Sequence, residues 1–130
     1  TNILSELFKK KPNPHLLRRL KETKAETLFT TSVNVMELKF GARMRKDHNE
    51  FWKRIQAEII SRLTVLGFDE REAILCGDIL AELRDKGTPI GIEDVMIGAI
   101  ALTHGFTLIT ANIKHFERFP SLQVENWLAP

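Results

Sequence analysis

Residues 92–110 read IEDVMIGAIALTHGFTLIT, and this stretch decides the fold class. Its first part, 92–104, is apolar on nearly every face, which predicts a helix that is buried. Gly105 should end that helix, because glycine readily adopts the left-handed backbone at which many helices stop. The run 106–110 that follows is rich in β-branched and aromatic residues and indicates a buried strand of the parallel type. A buried helix leading into such a strand indicates an α/β fold.

The rest of the chain continues this alternation of helices and strands. No hairpin signals separate the strands, so the pattern predicts a mostly parallel sheet within a single domain, residues 1–130. In such sheets, ligand sites form at the carboxyl ends of strands, where the following helices begin. The further predicted helices are 2–11, 16–23, 34–46, 48–63, 69–86 and 114–117, and the further predicted strands are 27–31, 64–66 and 122–125.

The composition excludes several classes of protein. A chain of 130 residues with 43% hydrophobic residues can bury a core, which argues against disorder. A net charge of +2 excludes a strongly basic or strongly acidic binding tail. The single cysteine, Cys76, excludes an internal disulfide, and its place on the inward face of a helix predicts a buried, unreactive thiol. No apolar run approaches the roughly 20 residues of a membrane span, and we expect a cytoplasmic protein without a signal peptide.

Four polar residues stand where strands give way to helices: Glu37, Asp94, Thr110 and Asn112. Each also has a purely structural interpretation. Glu37 fits the third position of a capping box that Asn34 would open. Asp94 fits a first-turn acid favoured by the helix dipole, Asn112 fits a helix N-cap, and Thr110 fits a strand residue. Together, however, two carboxylates with amide and hydroxyl oxygens form a ligand set suited to Mg²⁺ or Mn²⁺, without the nitrogen and sulfur ligands that zinc prefers.

The sequence predicts no further site from its other polar residues. The histidines show no metal-ligand spacing and are predicted to be surface or helix-end residues: His15, His48, His104 and His115. Three basic clusters, at 9–11, 18–21 and 43–46, are predicted to be solvated helix faces. The cluster at 43–46 continues the helix of Glu37 and is therefore placed to line a path for phosphates. The sequence has no glycine-rich phosphate loop and no serine nucleophile elbow.

Four segments, in order along the chain, resemble the motifs of PIN domains. The opening TNIL resembles the tail of a D-T-N-x-L motif, and the last segments are typical of VapC-type toxins from bacterial toxin–antitoxin pairs. The second match is VMELKFGA at 35–42, which resembles (V/I)xELxxGA. The third is GIEDVMIGA at 91–99, which resembles IxxxDxxIAA. The fourth is the ending, LITAN at 108–112, HFERFP at 115–120 and VENW at 124–127, which resembles LVTxNxxxFxRxPGLxVENW.

The resemblance implies a three-layer α/β/α fold with a mostly parallel sheet and the activity of an Mg²⁺- or Mn²⁺-dependent endoribonuclease. By position, Glu37, Asp94 and Asn112 match residues of the family's metal site, and Thr110 matches a residue that supports it. Asn2 matches the asparagine of the opening motif. The family's metal would activate a water and neutralise charge on the phosphate during in-line attack.

The same resemblance implies partners: an RNA substrate, a second copy of the chain and a cognate antitoxin that covers the acidic cleft. The apolar residues Leu16, Leu17 and Leu20 of an early helix are candidates for the antitoxin contact.

One departure from the family concerns the start of the chain. The family's first metal-binding aspartate and its first central strand stand before Thr1. We therefore expect the functional protein to extend upstream, and we expect weak or absent RNA cleavage by the 130 residues alone.

Two alternatives remain open at this point. One is a catalytically impaired PIN-like module that binds RNA or a protein. The other is a PIN nuclease of RNA processing outside toxin–antitoxin pairs.

Overall fold

The computed structural model describes residues 3–130, which form two compact units. The N-terminal unit comprises the described residues up to Leu66 together with Leu128–Pro130. The C-terminal unit comprises Gly67–Trp127. Thr1 and Asn2, the beginning of the opening motif, lie outside the described residues.

The N-terminal unit contains three α-helices and one pair of strands. The strands pair in parallel, with Phe29 opposite Thr64 and Thr31 opposite Leu66. An apolar cluster forms where Leu38 and Ile55 pack together with Phe8 and Phe51. The elements are a 3-10 helix Ile3–Phe8, α1 Pro14–Glu22, a 3-10 turn Ala25–Thr27, β1 Phe29–Thr31, α2 Ser32–Arg43, α3 His48–Ile55 with a π-helical continuation Gln56–Ile60, and β2 Thr64–Leu66.

The start of α1 shows a cap that the sequence pattern did not suggest. Pro14 is the first helical residue, where its fixed φ and missing N–H do no harm. The side-chain oxygen of Asn13 accepts from the backbone N–H of His15 and of Leu16, at 2.9 and 3.1 Å. Leu16 is buried, at 3% exposure, whereas Leu17 is 46% exposed. The suggestion that Leu16 contacts a partner is therefore wrong, because packing within the chain covers it.

The start of α2 also differs from the prediction. The N-cap is Thr31 and not Asn34: the Thr31 hydroxyl accepts from the Asn34 backbone N–H at 3.1 Å. The same hydroxyl donates to the Asn34 side-chain oxygen at 2.8 Å. The N-cap thus lies three residues earlier than predicted, because the strand residue Thr31 supplies the capping oxygen itself. Glu37 then lies beyond the first turn.

The C-terminal unit contains the buried helix and the second pair of strands. Its strands also pair in parallel, with Leu108 opposite Val124 and Ile109 opposite Glu125. Parallel pairing in both units confirms the α/β class. The predicted strands at 106–110 and 122–125 exist but are shorter. The elements are α4 Glu70–Asp85, α5 Ile92–His104, β3 Leu108–Ile109, α6 Ile113–Phe116 and β4 Val124–Glu125.

The helix α5 is the centre of this unit, with the bounds that the sequence predicted. Val95, Ala99 and Ile100 are fully buried, and Gly105 ends the helix with a φ of 68°. Gly98 lies directly under the ring of Phe119, so close that a Cβ at this position would fall 2.4 Å from the ring atom Cζ. A glycine at 98 therefore lets the segment after α6 pack onto α5.

Two further observations complete the fold. Cys76 is 4% exposed on α4, as predicted, and burial raises the pKa of its thiol. Among residues 3–130, the structure has no helix with both the length and the apolar character that a bilayer span requires.

Candidate metal centre and active site

Asp94 lies in the first turn of α5, and its side chain is 27% exposed. Its carboxylate oxygen Oδ2 is 2.9 Å from the ring nitrogen Nε2 of His115, a residue of α6 whose side chain is 25% exposed. The contact does not have hydrogen-bond geometry, and within the described part of the chain the buried His115 Nε2 has no hydrogen-bond partner. The structure therefore brings an imidazole nitrogen to the carboxylate that the sequence had assigned to a metal.

Sequence reasoning missed His115. It is a helix-end residue, as predicted, but the sequence did not place its ring nitrogen beside Asp94. The contact joins residues 21 positions apart, so no local pattern reveals it. The available signal was that Asp94 opens one helix and His115 lies on the next, with a single strand between them.

Thr110 and Asn112 form the turn between β3 and α6. The backbone N–H of Thr110 donates to the carbonyl oxygen of Glu125 at 2.9 Å, and its hydroxyl accepts from the Asn112 backbone N–H at 3.1 Å. Thr110 is 6% exposed, so this arrangement is held inside the unit.

Asn112 is an exposed residue at the N-cap of α6. Its side chain makes no capping hydrogen bond in residues 3–130. The position that the sequence predicted for Asn112 is thus confirmed. The capping role of its side chain is not, and capping does not account for the residue.

Glu37 belongs to the N-terminal unit. It is the sixth residue of α2, which excludes the capping-box interpretation that the sequence offered. Glu37 is half-buried and lines a cleft of about 490 Å³. The cleft is lined by residues of the first 3-10 helix, α2 and α3: Ser5, Phe8, Lys9, Glu37, Leu38, Gly41, Ala42, Arg45, Phe51 and Ile55.

Two cations share this cleft with Glu37. Arg45 lies over the ring of Phe51, 3.8 Å from its centroid, and makes two hydrogen bonds to Asp47 at 2.8 and 3.0 Å. Those hydrogen bonds lower the pKa of the Asp47 carboxyl and raise the pKa of Arg45. Lys9 pairs with Glu6 at 2.7 Å. Lys9 and Arg45 are thus each paired with an acid that is not part of the cleft lining.

The structure distributes the predicted site residues between the two units. Asp94, Thr110 and Asn112 belong to the C-terminal unit, and Glu37 belongs to the other. In the part of the chain that the structure describes, no group of three His, Cys, Asp or Glu side chains is arranged to hold a metal ion. The meeting of Glu37 with Asp94 stays a prediction.

A family model for the PIN domain matches residues 1–122. This chain belongs to the PIN-domain family. Among its relatives, the tRNA(fMet)-specific endonuclease VapC of Salmonella typhimurium is 35% identical over 93% of this chain and 91% of the relative. Ribonuclease VapC2 of Haemophilus influenzae is 34% identical, over 98% and 95% of the two chains.

A solved structure extends the likeness to the fold. VapBC-1 from nontypeable Haemophilus influenzae superimposes on this PIN domain with a TM-score of 0.87, at 28% identity, over 98% of this chain and 95% of the other. The predicted PIN fold and its VapC-type resemblance are thereby confirmed.

Proposed function

We propose that this PIN domain is a divalent-metal-dependent endoribonuclease that hydrolyses RNA phosphodiester bonds and acts as the toxin of a toxin–antitoxin pair. The observation that carries the proposal is the half-buried carboxylate of Asp94, with an unbonded ring nitrogen beside it, in a chain whose relatives are named as VapC ribonucleases. A buried ring nitrogen without a partner is a group that a metal ion would satisfy.

The residues proposed to hold the cation are Glu37, Asp94 and Asn112. Carboxylate and amide oxygens are the ligands that Mg²⁺ and Mn²⁺ take in proteins. When bound, such an ion lowers the pKa of a coordinated water and offsets the charge that builds on the phosphate.

The protein's own part is to hold these oxygens in place. The first turn of α5 fixes Asp94, whose helix is otherwise buried. The hydroxyl of Thr110 fixes the backbone of Asn112. Glu37 is half-buried in a cleft that apolar side chains line together with Lys9 and Arg45, and α2 holds it there.

The proposed partners follow the family. We infer an RNA substrate, a homodimer, a cognate antitoxin and a place in the cytoplasm. Leu17, which is 46% exposed, and the half-buried Leu20 remain the candidates on α1 for the antitoxin contact.

The test is RNA cleavage by the full-length protein, with Mn²⁺ or Mg²⁺ and with EDTA. Changing a residue that merely supports a metal ligand already lowers activity by about 10- to 100-fold, so Asp94→Asn should lower cleavage by about a hundredfold or more. The neighbouring Glu93→Gln is the matched control, because Glu93 is also a first-turn acid of α5 but is exposed. Glu37→Gln should behave like Asp94→Asn. Cleavage that survives EDTA, or that Asp94→Asn leaves unchanged, would overturn the proposal.

A catalytically inert RNA- or protein-binding module is the second candidate. It is favoured by one observation: residues 3–130 contain no three-residue cluster of metal-binding side chains. Such a module would bind RNA without cutting it, and the acid substitutions would leave binding unchanged.

A further inference from the structure

We propose that His115 is a direct ligand of the divalent ion held by Asp94, and that its imidazole makes the site prefer Mn²⁺ over Mg²⁺. The inference rests on the proposed function, since it takes the metal-dependent reaction as given. It goes beyond that function because it assigns a nitrogen ligand and a metal preference to this chain.

The first argument is the spacing of the two atoms. Ligands at about 2.1 Å from an octahedral ion lie about 3.0 Å apart when they occupy adjacent positions. Asp94 Oδ2 and His115 Nε2 are 2.9 Å apart. The distance between these two atoms is therefore the one expected for two adjacent ligands of a single ion.

The second argument is that the ring nitrogen of His115 makes no hydrogen bond within the described residues. Nε2 is buried and, among the described residues, without a hydrogen-bond partner, although a carboxylate oxygen lies within hydrogen-bond distance. Leaving a buried polar atom unsatisfied is energetically unfavourable, so such atoms usually have a partner. A coordination bond would supply the partner that the neighbouring carboxylate does not supply.

The third argument is that packing fixes the imidazole. Its ring meets the ring of Phe116 edge-on, with centroids 5.5 Å apart, and Phe116 is 4% exposed. Phe119 packs beside Phe116 and over Gly98 of α5, the helix that carries Asp94. The contacts that hold the Asp94–His115 distance all lie within the C-terminal unit.

The preference follows from ligand chemistry. Mg²⁺ is bound almost wholly by oxygen. Mn²⁺ also favours oxygen ligands, but as a first-row transition-metal ion it forms the stronger bond to an imidazole nitrogen of the two. A site that contains one carboxylate and one imidazole should therefore bind Mn²⁺ more tightly than Mg²⁺. Replacing the imidazole with a carboxylate should reduce the difference.

The experiment uses pulsed electron paramagnetic resonance of Mn²⁺ bound to the full chain, together with calorimetric titration of Mn²⁺ and Mg²⁺. Coupling to a ¹⁴N nucleus reports an imidazole directly bonded to the ion and does not depend on activity. His115→Gln removes the ligand with little change of volume, and His104→Gln, an exposed helix-end histidine stacked on Phe106, is the matched control. Circular dichroism and the thermal midpoint verify that each variant is folded.

We expect ¹⁴N coupling in the unmodified protein and in His104→Gln, and its loss in His115→Gln. Mn²⁺ affinity should fall by about tenfold or more in His115→Gln, since changes around metal ligands act on that scale. The ratio of Mn²⁺ to Mg²⁺ affinity should fall in His115→Glu.

Two results would overturn the inference, and they differ in what they say about the proposed function. Mn²⁺ that binds through Asp94 without ¹⁴N coupling would remove His115 as a ligand but leave a metal-dependent nuclease intact. The absence of bound Mn²⁺ at millimolar concentrations would overturn the inference, and the EDTA arm of the cleavage assay would then decide the proposed function separately.

Discussion

Gly98→Ala should destabilise this protein, although alanine is the better helix former. A Cβ added at 98 would lie 2.4, 2.7 and 2.9 Å from three ring atoms of Phe119, which is 4% exposed. A buried ring cannot swing away as the end of a flexible side chain can, so α5 or the 116–119 segment must shift. Overpacking of this kind costs about 1–3 kcal/mol, and three contacts this short place it near 2–3 kcal/mol.

The helix propensity of alanine offsets part of this cost. Replacing glycine in a helix interior gains about 1 kcal/mol, so the net loss in the free energy of unfolding should be about 1–2 kcal/mol. Gly77→Ala on α4 is the matched control, because Gly77 is exposed and an added Cβ meets no described atom within 4 Å. That variant should be stabilised by the same propensity gain of about 1 kcal/mol.

Equilibrium urea unfolding followed by circular dichroism measures both variants. Because each gains the same propensity, their difference of about 2–3 kcal/mol isolates the packing cost. It corresponds to about 4 °C in thermal midpoint per kcal/mol for a chain of this size. Phe119→Leu in the Gly98→Ala background should recover part of the loss. Equal stability of the two alanine variants would refute the close approach of Phe119 to α5.

Three further predictions concern individual side chains. Thr31→Ala should lower the free energy of unfolding by about 1 kcal/mol, because the N-cap hydroxyl that accepts from the Asn34 N–H is lost. Thr31→Ser keeps a hydroxyl and should therefore keep the stability of the unmodified protein in thermal unfolding. Glu72→Met should raise the free energy of unfolding by about 1 kcal/mol in urea titrations, since the buried Glu72 Oε2 has no hydrogen-bond partner in residues 3–130. Glu70→Met, at an exposed position, should not raise it. Cys76 should resist alkylation at pH 8 until denaturant is added, because burial raises its thiol pKa; rapid labelling of the folded protein would contradict this.

The parts of the fold that are encoded locally were predictable. The bounds of α5 follow from an apolar run that stops at Gly105, whose left-handed backbone ends the helix. The parallel strands follow from the absence of hairpin turns. The N-cap of α2 was not predictable by the same rule, because Thr31 and Asn34 are both good caps and only the end of β1 decides between them.

The candidate site was predictable only in part. The positions of Thr110 and Asn112 at the end of β3 followed from the strand pattern, and the place of Asp94 in the first turn of α5 followed from the bounds of that helix. The partner of Asp94 did not, because His115 reaches it through tertiary packing of α5 against α6 and the 116–119 segment. Burial of Leu16 beside an exposed Leu17 was likewise a matter of packing that helical spacing alone did not fix.

The measurement that tests the central claim most directly is calorimetric titration of Mn²⁺ into the protein and its acid variants. If Glu37 and Asp94 bind the same cation, the titration should show a single Mn²⁺ site. Glu37→Gln and Asp94→Asn should then each weaken that binding by about tenfold or more, while the exposed-acid variants Glu50→Gln and Glu93→Gln leave it unchanged. Mn²⁺ affinity that is the same in Glu37→Gln as in the unmodified protein would contradict the account.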